Sequence, residues 1–229
     1  DAVQENGTLV EGRNAVLEAF RSGKTIDKLY VLDGCKDGPV QTIVREARKH
    51  DTIINFVAKE RLDQLSATGH HQGVIAQASA YEYATVEDIL ENARKKGEPP
   101  FIFLLDGIED PHNLGAIIRT ANLAGAHGVI IPKRRAVGLT STVAKTSAGA
   151  LNYTPVAKVT NISATIEELK ERGLWFVCAD MGGESMYRLD LKGPIGLVIG
   201  NEGEGVSRLV REKCDFIASI PMKGDIDSL

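Results

Sequence analysis

The chain has 229 residues, 43% hydrophobic and 25% charged, with a formal net charge of −4, an ordinary globular composition with room for one or two cores. That charge speaks against a protein that coats nucleic acid indiscriminately. No apolar run approaches bilayer length, and the first residues, DAVQENGTLVEGRN, lack a secretory-signal pattern.

From the amino end, periodicity predicts a helix over 12–23, with Val16, Leu17 and Phe20 on one face and Gly23 ending it. A strand over 26–33, a helix over 39–50, a strand over 52–58, a helix over 60–68 and a strand over 73–79 follow. Residues 1–80 therefore read as one small α/β domain. The polar stretch 81–98, ending at the prolines 99 and 100, reads as a linker with a connecting helix.

Residues 99–229 alternate more regularly. Strands are predicted at 101–105, 128–131, 153–156, 174–179, 195–199 and 215–220, with helices at 113–125, near 141–149, and at 162–172 and 205–213. Such alternation implies a mostly parallel sheet covered on both faces. The last strand is followed by a loop, so this unit looks unfinished, as though a C-terminal helix were missing. Residues 1–80 hold 10 basic and 11 acidic side chains and residues 99–229 hold 14 and 15, so neither part is a basic module. The runs PKRR at 132–135 and ARKK at 93–96 read as solvated faces.

Common cofactor and metal motifs fail. SGKT at 22–25 resembles the end of a phosphate loop, but Glu18 stands where its first glycine belongs. GNEGEG at 200–205 spaces its glycines as G-x-x-G-x-G and not as the dinucleotide fingerprint, and no G-x-S-x-G elbow is present. The five histidines form no ligand pattern, so no metal is expected. The three cysteines, Cys35, Cys178 and Cys214, are odd in number and widely spaced, which fits reduced thiols and a cytoplasmic protein.

Ligands of parallel sheets sit beyond the carboxyl ends of the strands. Three loops qualify: DGIEDPHNLG after the 101–105 strand, GNEGEG after the 195–199 strand and PMKGDIDSL after the 215–220 strand. The glycine-rich loop carries Glu202 and Glu204, which oppose a phosphate. In DPHNLGAIIRTA, Asn113 is either a plain helix cap or a site residue, and Arg119 stands on a largely apolar helix.

Together, NLGAIIRTA, KTSAGALNYTPV, LVIGNEGEGV and IPMKGDIDSL closely resemble the SpoU (TrmH-like) family of RNA ribose 2′-O-methyltransferases over residues 103–229. VEGRNAVLEAF and HHQGVIAQ look like that family's L30e-like substrate-binding domain, a pairing similar to the 23S rRNA guanosine 2′-O-methyltransferase branch acting on the peptidyl-transferase P loop. The resemblance implies a knotted (trefoil) α/β SPOUT domain with a mostly parallel sheet, a homodimer formed through it, and S-adenosylmethionine as cofactor. It implies cofactor contacts from Gly200, Ile220 and Leu229, bordered by Asn201 and Met222. It assigns the catalytic constellation to Arg119, Asn113, Glu202 and Ser228. Because a guanidinium stays protonated, Arg119 suits anchoring of the target's 3′-phosphate, with a phosphate oxygen or Glu202 taking the proton. RNA contacts fall to Lys133, Arg134 and Arg135 near the site, and to Arg13, with Arg21, Lys24 and Lys28, in the first domain. The rival readings are a tRNA ribose 2′-O-methyltransferase and a non-catalytic RNA-binding or ribosome-assembly module.

Overall fold

The structure, a computed structural model, describes residues 9–180, 184–185 and 193–219. Its chain contacts divide it into two units, Asp1–Glu82 with Gly138–Ser141, and Tyr83–Val137 with Thr142–Leu229.

The first unit runs β1 (Leu9–Glu11), α1 (Arg13–Arg21), β2 (Ile26–Leu32), α2 (Gly38–Lys49), β3 (Ile53–Val57), α3 (Lys59–Leu65) and β4 (Val74–Ala78). Its sheet has the order β1-β4-β2-β3, with β2 and β3 parallel and the other pairs antiparallel. In α2, Val40, Ile43, Val44 and Ala47 recur at the spacing of one helical face and are buried. With Val16 and Phe20 of α1 they pack against Leu29, Val31, Val74 and Ala76 of the sheet.

Glu11 ends β1 and ties it to the turn after α3. Its carboxylate accepts from the Ser66 hydroxyl and from the amides of Ala67 and Thr68, at 3.0 and 3.1 Å. Burial pushes its pKa up, but these hydrogen bonds outweigh burial and leave it below its ordinary value. A depressed carboxylate adds stability above its unfolded pKa, about 4.3, and loses it as pH falls through the folded value. Glu11→Gln should therefore reduce amide protection of β1 and β4 near neutrality, and the difference from wild type should shrink below about pH 4.3. Hydrogen exchange of both proteins across pH 3–7 reads this directly, and a gap constant with pH would exclude the carboxylate as its cause.

The second unit runs α4 (Val86–Lys95), β5 (Phe101–Asp106), α5 (Pro111–Leu123), β6 (Gly128–Pro132), α6 (Ser141–Thr146) and a 3₁₀ turn (Ala150–Asn152). Then come β7 (Val156–Val159), α7 (Ile162–Glu171), β8 (Trp175–Asp180), β9 (Glu184–Ser185), β10 (Ile195–Gly200), α8 (Arg208–Lys213) and β11 (Phe216–Ser219). All seven strands are parallel, in the order β7-β6-β5-β10-β8-β11-β9. The central strands are apolar throughout because helices cover both faces. Ile102 and Leu104 face α4, α7 and α8, with Ile89, Ile166, Phe176, Val198 and Val210 in the same core.

Helix α4 lies in the stretch 81–98 that reads as a linker. Thr85 and Asp88 close its amino end as a reciprocal capping box, and its Ile89 and Ala93 are fully buried. Gly128 opens β6 beneath it, where a Cβ would lie 2.5 Å from the Ile89 side chain. Among the described residues no helix is long and apolar enough to cross a membrane.

Candidate functional site

Strand order creates the site. After β5 the chain leaves through α5 to β6 on one side, whereas after β10 it leaves through α8 to β11 on the other. The carboxyl ends of β5 and β10 are hydrogen-bonded neighbours, with Gly200 opposite Asp106. Their departing loops therefore part and leave a crevice, the switch point at which parallel sheets bind ligands. A cavity of about 220 Å³ opens there, lined by Gly107–Asp110, by Asn113, Ala116 and Ile117 of α5, and by Ile199, Gly200, Asn201 and Glu202.

Both walls are fixed by the backbone. A Cβ on Gly200 would lie 2.2 Å from the Gly205 carbonyl carbon and 2.3 Å from the Val206 nitrogen. Asn201 closes the glycine loop: its side-chain oxygen accepts from the Glu204 amide at 2.6 Å, and its carbonyl from the Gly205 amide at 2.9 Å. Asp106 then accepts from the Ser207 amide at 2.7 Å and pins the loop's far end to β5. Behind α5, Gly115 lets the helix approach α6 so closely that a Cβ would overlap the Thr146 hydroxyl at 1.8 Å.

The opposite wall bears on the two readings of Asn113. Asn113 is not the cap of α5; Asp110 is, accepting from the amides of His112 at 2.7 Å and Asn113 at 3.4 Å, with Pro111 in the first turn. The Asp-Pro pair carried that signal, since proline favours the first helical position. Asn113 is thereby an exposed residue at the third helical position, in the first turn, whose side chain is released from capping and borders the cavity. Asp110→Ala should cost about 1 kcal/mol through loss of the cap. Urea unfolding followed by the fluorescence of Trp175 measures it, and an unshifted midpoint would mean that the first turn of α5 needs no cap.

Of the residues expected at the site, Asn113, Gly200, Asn201 and Glu202 line this one cavity. Arg119 does not line it. It is half-buried, three residues beyond the lining residue Ala116 and so one helical turn along α5, and its Nε is buried with no hydrogen-bond partner among the described residues. Arg135 reaches the cavity's edge, its Nη2 lying 3.8 Å from where a Gly107 Cβ would stand. Lys133 is half-buried and Arg134 exposed on the same loop. Arg13, in the first unit, pairs with Asp37 at 2.7 Å. Ile220, Met222, Ser228 and Leu229 lie outside the described residues. Ile117 is a contributor that periodicity does not single out, because in sequence it reads as an ordinary helix residue, whereas Ile108 and Asp106 lie in the DGIEDPHNLG loop already placed at the strand ends.

The cavity wall has a distinct chemistry. Glu109, Asp110 and Glu202 line it, and among the described residues no lysine or arginine does. An anionic phosphate is disfavoured there, whereas a ligand with a positive centre and a neutral ring system fits, with Ile108, Ile117 and Ile199 as apolar surface. Away from it, Cys178 and Cys214 face each other. The contact between the thiols, with burial, pushes the Cys214 thiol well above its ordinary pKa, so Cys214 is not placed as a nucleophile.

Comparison with known proteins agrees with this architecture. The SpoU rRNA methylase family matches residues 100–229, and the RNA 2′-O ribose methyltransferase substrate-binding family matches residues 9–84. A Bacillus subtilis protein, YacO, named for the TrmH family of tRNA/rRNA methyltransferases, is 50% identical over 221 residues, covering 96% of this chain and 88% of its own. A similarly named protein of Staphylococcus epidermidis is 46% identical over 222 residues, covering 96% and 89%. Among solved structures, the SpoU methyltransferase AviRb from Streptomyces viridochromogenes, in complex with AdoMet, superposes with a TM-score of 0.55. It is 26% identical, covering 96% of this chain and 83% of that one.

Proposed function

We infer what this chain does from the family to which it belongs, the SpoU family of RNA ribose 2′-O-methyltransferases. It is an S-adenosylmethionine-dependent RNA methyltransferase, and we propose that its target is the 2′-hydroxyl of a guanosine in the peptidyl-transferase P loop of 23S rRNA. The observation that carries the chemistry is the carboxylate-lined cavity at the β5/β10 switch point, which suits a sulfonium and repels a phosphate. The AdoMet complex of AviRb supports the same cofactor. The choice of rRNA rests on the substrate-binding unit at residues 9–84, by analogy with the rRNA branch of the family.

Gly200 and Asn201 would hold the cofactor through close backbone approach, with Ile108, Ile117 and Ile199 packing its apolar parts. Bound there, S-adenosylmethionine supplies an electrophilic methyl group. The chain's own work is to bring a ribose hydroxyl to it in line, near 3 Å, and to manage one proton. Asn113, at the cavity wall, positions the ribose. Arg119 anchors the adjacent phosphate bidentately, because its guanidinium stays charged and fork-shaped. Glu202 or a phosphate oxygen accepts the proton. Ser228, Ile220, Met222 and Leu229 complete the constellation in this proposal. Lys133, Arg134 and Arg135 grip the RNA beside the cavity, and Arg13 with its neighbours selects it from the first unit. We also propose a homodimer through the second unit and a cytoplasmic setting.

Transfer of labelled methyl from S-adenosylmethionine by the full chain, to unmodified 23S rRNA and to tRNA, tests the substrate. Label in 23S rRNA, in an alkali-resistant dinucleotide containing guanosine, is the expected result. Label in tRNA keeps the chemistry and overturns the rRNA target. RNA binding with no transfer to either would favour the assembly module.

A further inference from the structure

Glu204 sits in the glycine loop but does not line the cavity. Its carboxylate turns to Arg135, with 4.0 Å between Oε2 and Nη2, and both side chains are largely exposed, at 80% and 65%. That separation is too long for a hydrogen bond, and pairs this exposed add little stability and are screened by salt. Yet both ends are deliberately held. The Glu204 amide is tied to Asn201 at 2.6 Å. Arg135 has φ 56°, a left-handed conformation uncommon for a residue with a side chain, and such strain gathers at functional positions. The result is a guanidinium near Gly107, 3.8 Å from where its Cβ would stand, at the mouth of a cavity walled by three carboxylates.

A polyanion approaching that mouth meets Glu109, Asp110 and Glu202, and Arg135, beside Gly107, is a described cation positioned to offset them. We propose that Arg135 takes up a backbone phosphate of the substrate RNA at the cavity mouth, and that Glu204 holds the guanidinium in place until RNA displaces it. A bidentate phosphate contact is stronger than the long, exposed carboxylate pair it replaces, so the exchange runs forward only when RNA is presented at the right place. The acidic residue of the glycine loop is then a gate against misplaced anions. This inference rests on the RNA-methyltransferase reading and adds the device that admits the substrate.

The two partners should have opposite effects on RNA affinity. With the full chain and labelled, unmodified transcripts of the 23S peptidyl-transferase region and of tRNA, Arg135→Ala should weaken binding of the substrate RNA about tenfold and reduce the slope of log K against log salt by about one. Glu204→Gln should tighten binding several-fold, and Arg135→Lys should fall between wild type and Arg135→Ala. If the pair were only a clasp holding two loops, both neutralising changes would weaken RNA and cofactor binding together, and that result would overturn the proposal. An unchanged salt slope for Arg135→Ala on both RNAs would overturn it as well. Binding is measured without methyl transfer, so inactivity towards both RNAs would count against the functional reading and leave this test standing.

Discussion

Arg119→Met is expected to lower methyl transfer about 10²- to 10³-fold, the range seen when one preorganised donor to a reacting centre is removed, while the fold is not destabilised. The reason lies in the Nε of Arg119, buried with no hydrogen-bond partner among the described residues. A buried unsatisfied donor costs about 1–3 kcal/mol, and replacing it by an apolar group of similar length removes that cost. A residue kept for packing would behave the other way. Methionine fills the stem's volume, so no cavity term intrudes. Arg119 is also absent from the cavity lining, so calorimetry should find S-adenosylmethionine affinity near that of wild type. Loss of activity with unchanged or raised urea midpoint and retained cofactor binding assigns Arg119 to the substrate side of the reaction. Loss of activity in proportion to loss of stability would make it a structural residue.

The sequence carried much of the fold, for reasons that can be traced element by element. Helical spacing located α2 and α7 to within a residue or two, because each buries one apolar face. Of the boundaries that moved, three show local chemistry that periodicity does not report. Helix α5 starts at Pro111 because Asp110 caps it. Strand β7 begins at Val156, three residues later than the apolar pattern suggests, because Thr154 is fully buried on a hydrogen bond to Asn122 while Tyr153 is left exposed. Helix α8 waits until Arg208 because the loop first turns back on itself, with Asn201 bridging Gly205. Strands β1 and β9, of three and two residues, are too short to show an alternation.

Part of the candidate cavity's lining was legible in its residues, and none of its geometry was. Asn113, Gly200, Asn201 and Glu202 could be named from motif and loop position. What makes them neighbours is the insertion of β10 between β5 and β8, a long-range pairing that no local pattern encodes. The same holds for Arg135 and Glu204, 69 residues apart in the sequence, which read separately as a solvated basic run and an awkward acid in a glycine loop.

Gly200→Ala is expected to weaken S-adenosylmethionine binding about 100-fold, the size of effect that a misplacement of about 1 Å can produce at a reacting site. Gly200 is not among the residues with positive φ, so conformational freedom is not what it supplies. It supplies space. The three atoms nearest to an added Cβ are all backbone, at 2.2, 2.3 and 2.4 Å, and belong to Gly205 and Val206. Backbone cannot rotate away as a side chain can, so the loop must move. Its movement is resisted at both ends by Asn201 and by the Asp106–Ser207 contact. Overpacking of this kind costs about 1–3 kcal/mol, and it falls on the cavity wall instead of the core. Gly205→Asn is the matched control: nothing lies within 4 Å of its Cβ, and its φ of 70° is one that asparagine tolerates. The pair should separate, with Gly200→Ala losing cofactor binding far more than Gly205→Asn. Equal binding by the two variants would show that the glycine loop does not form the cofactor's wall.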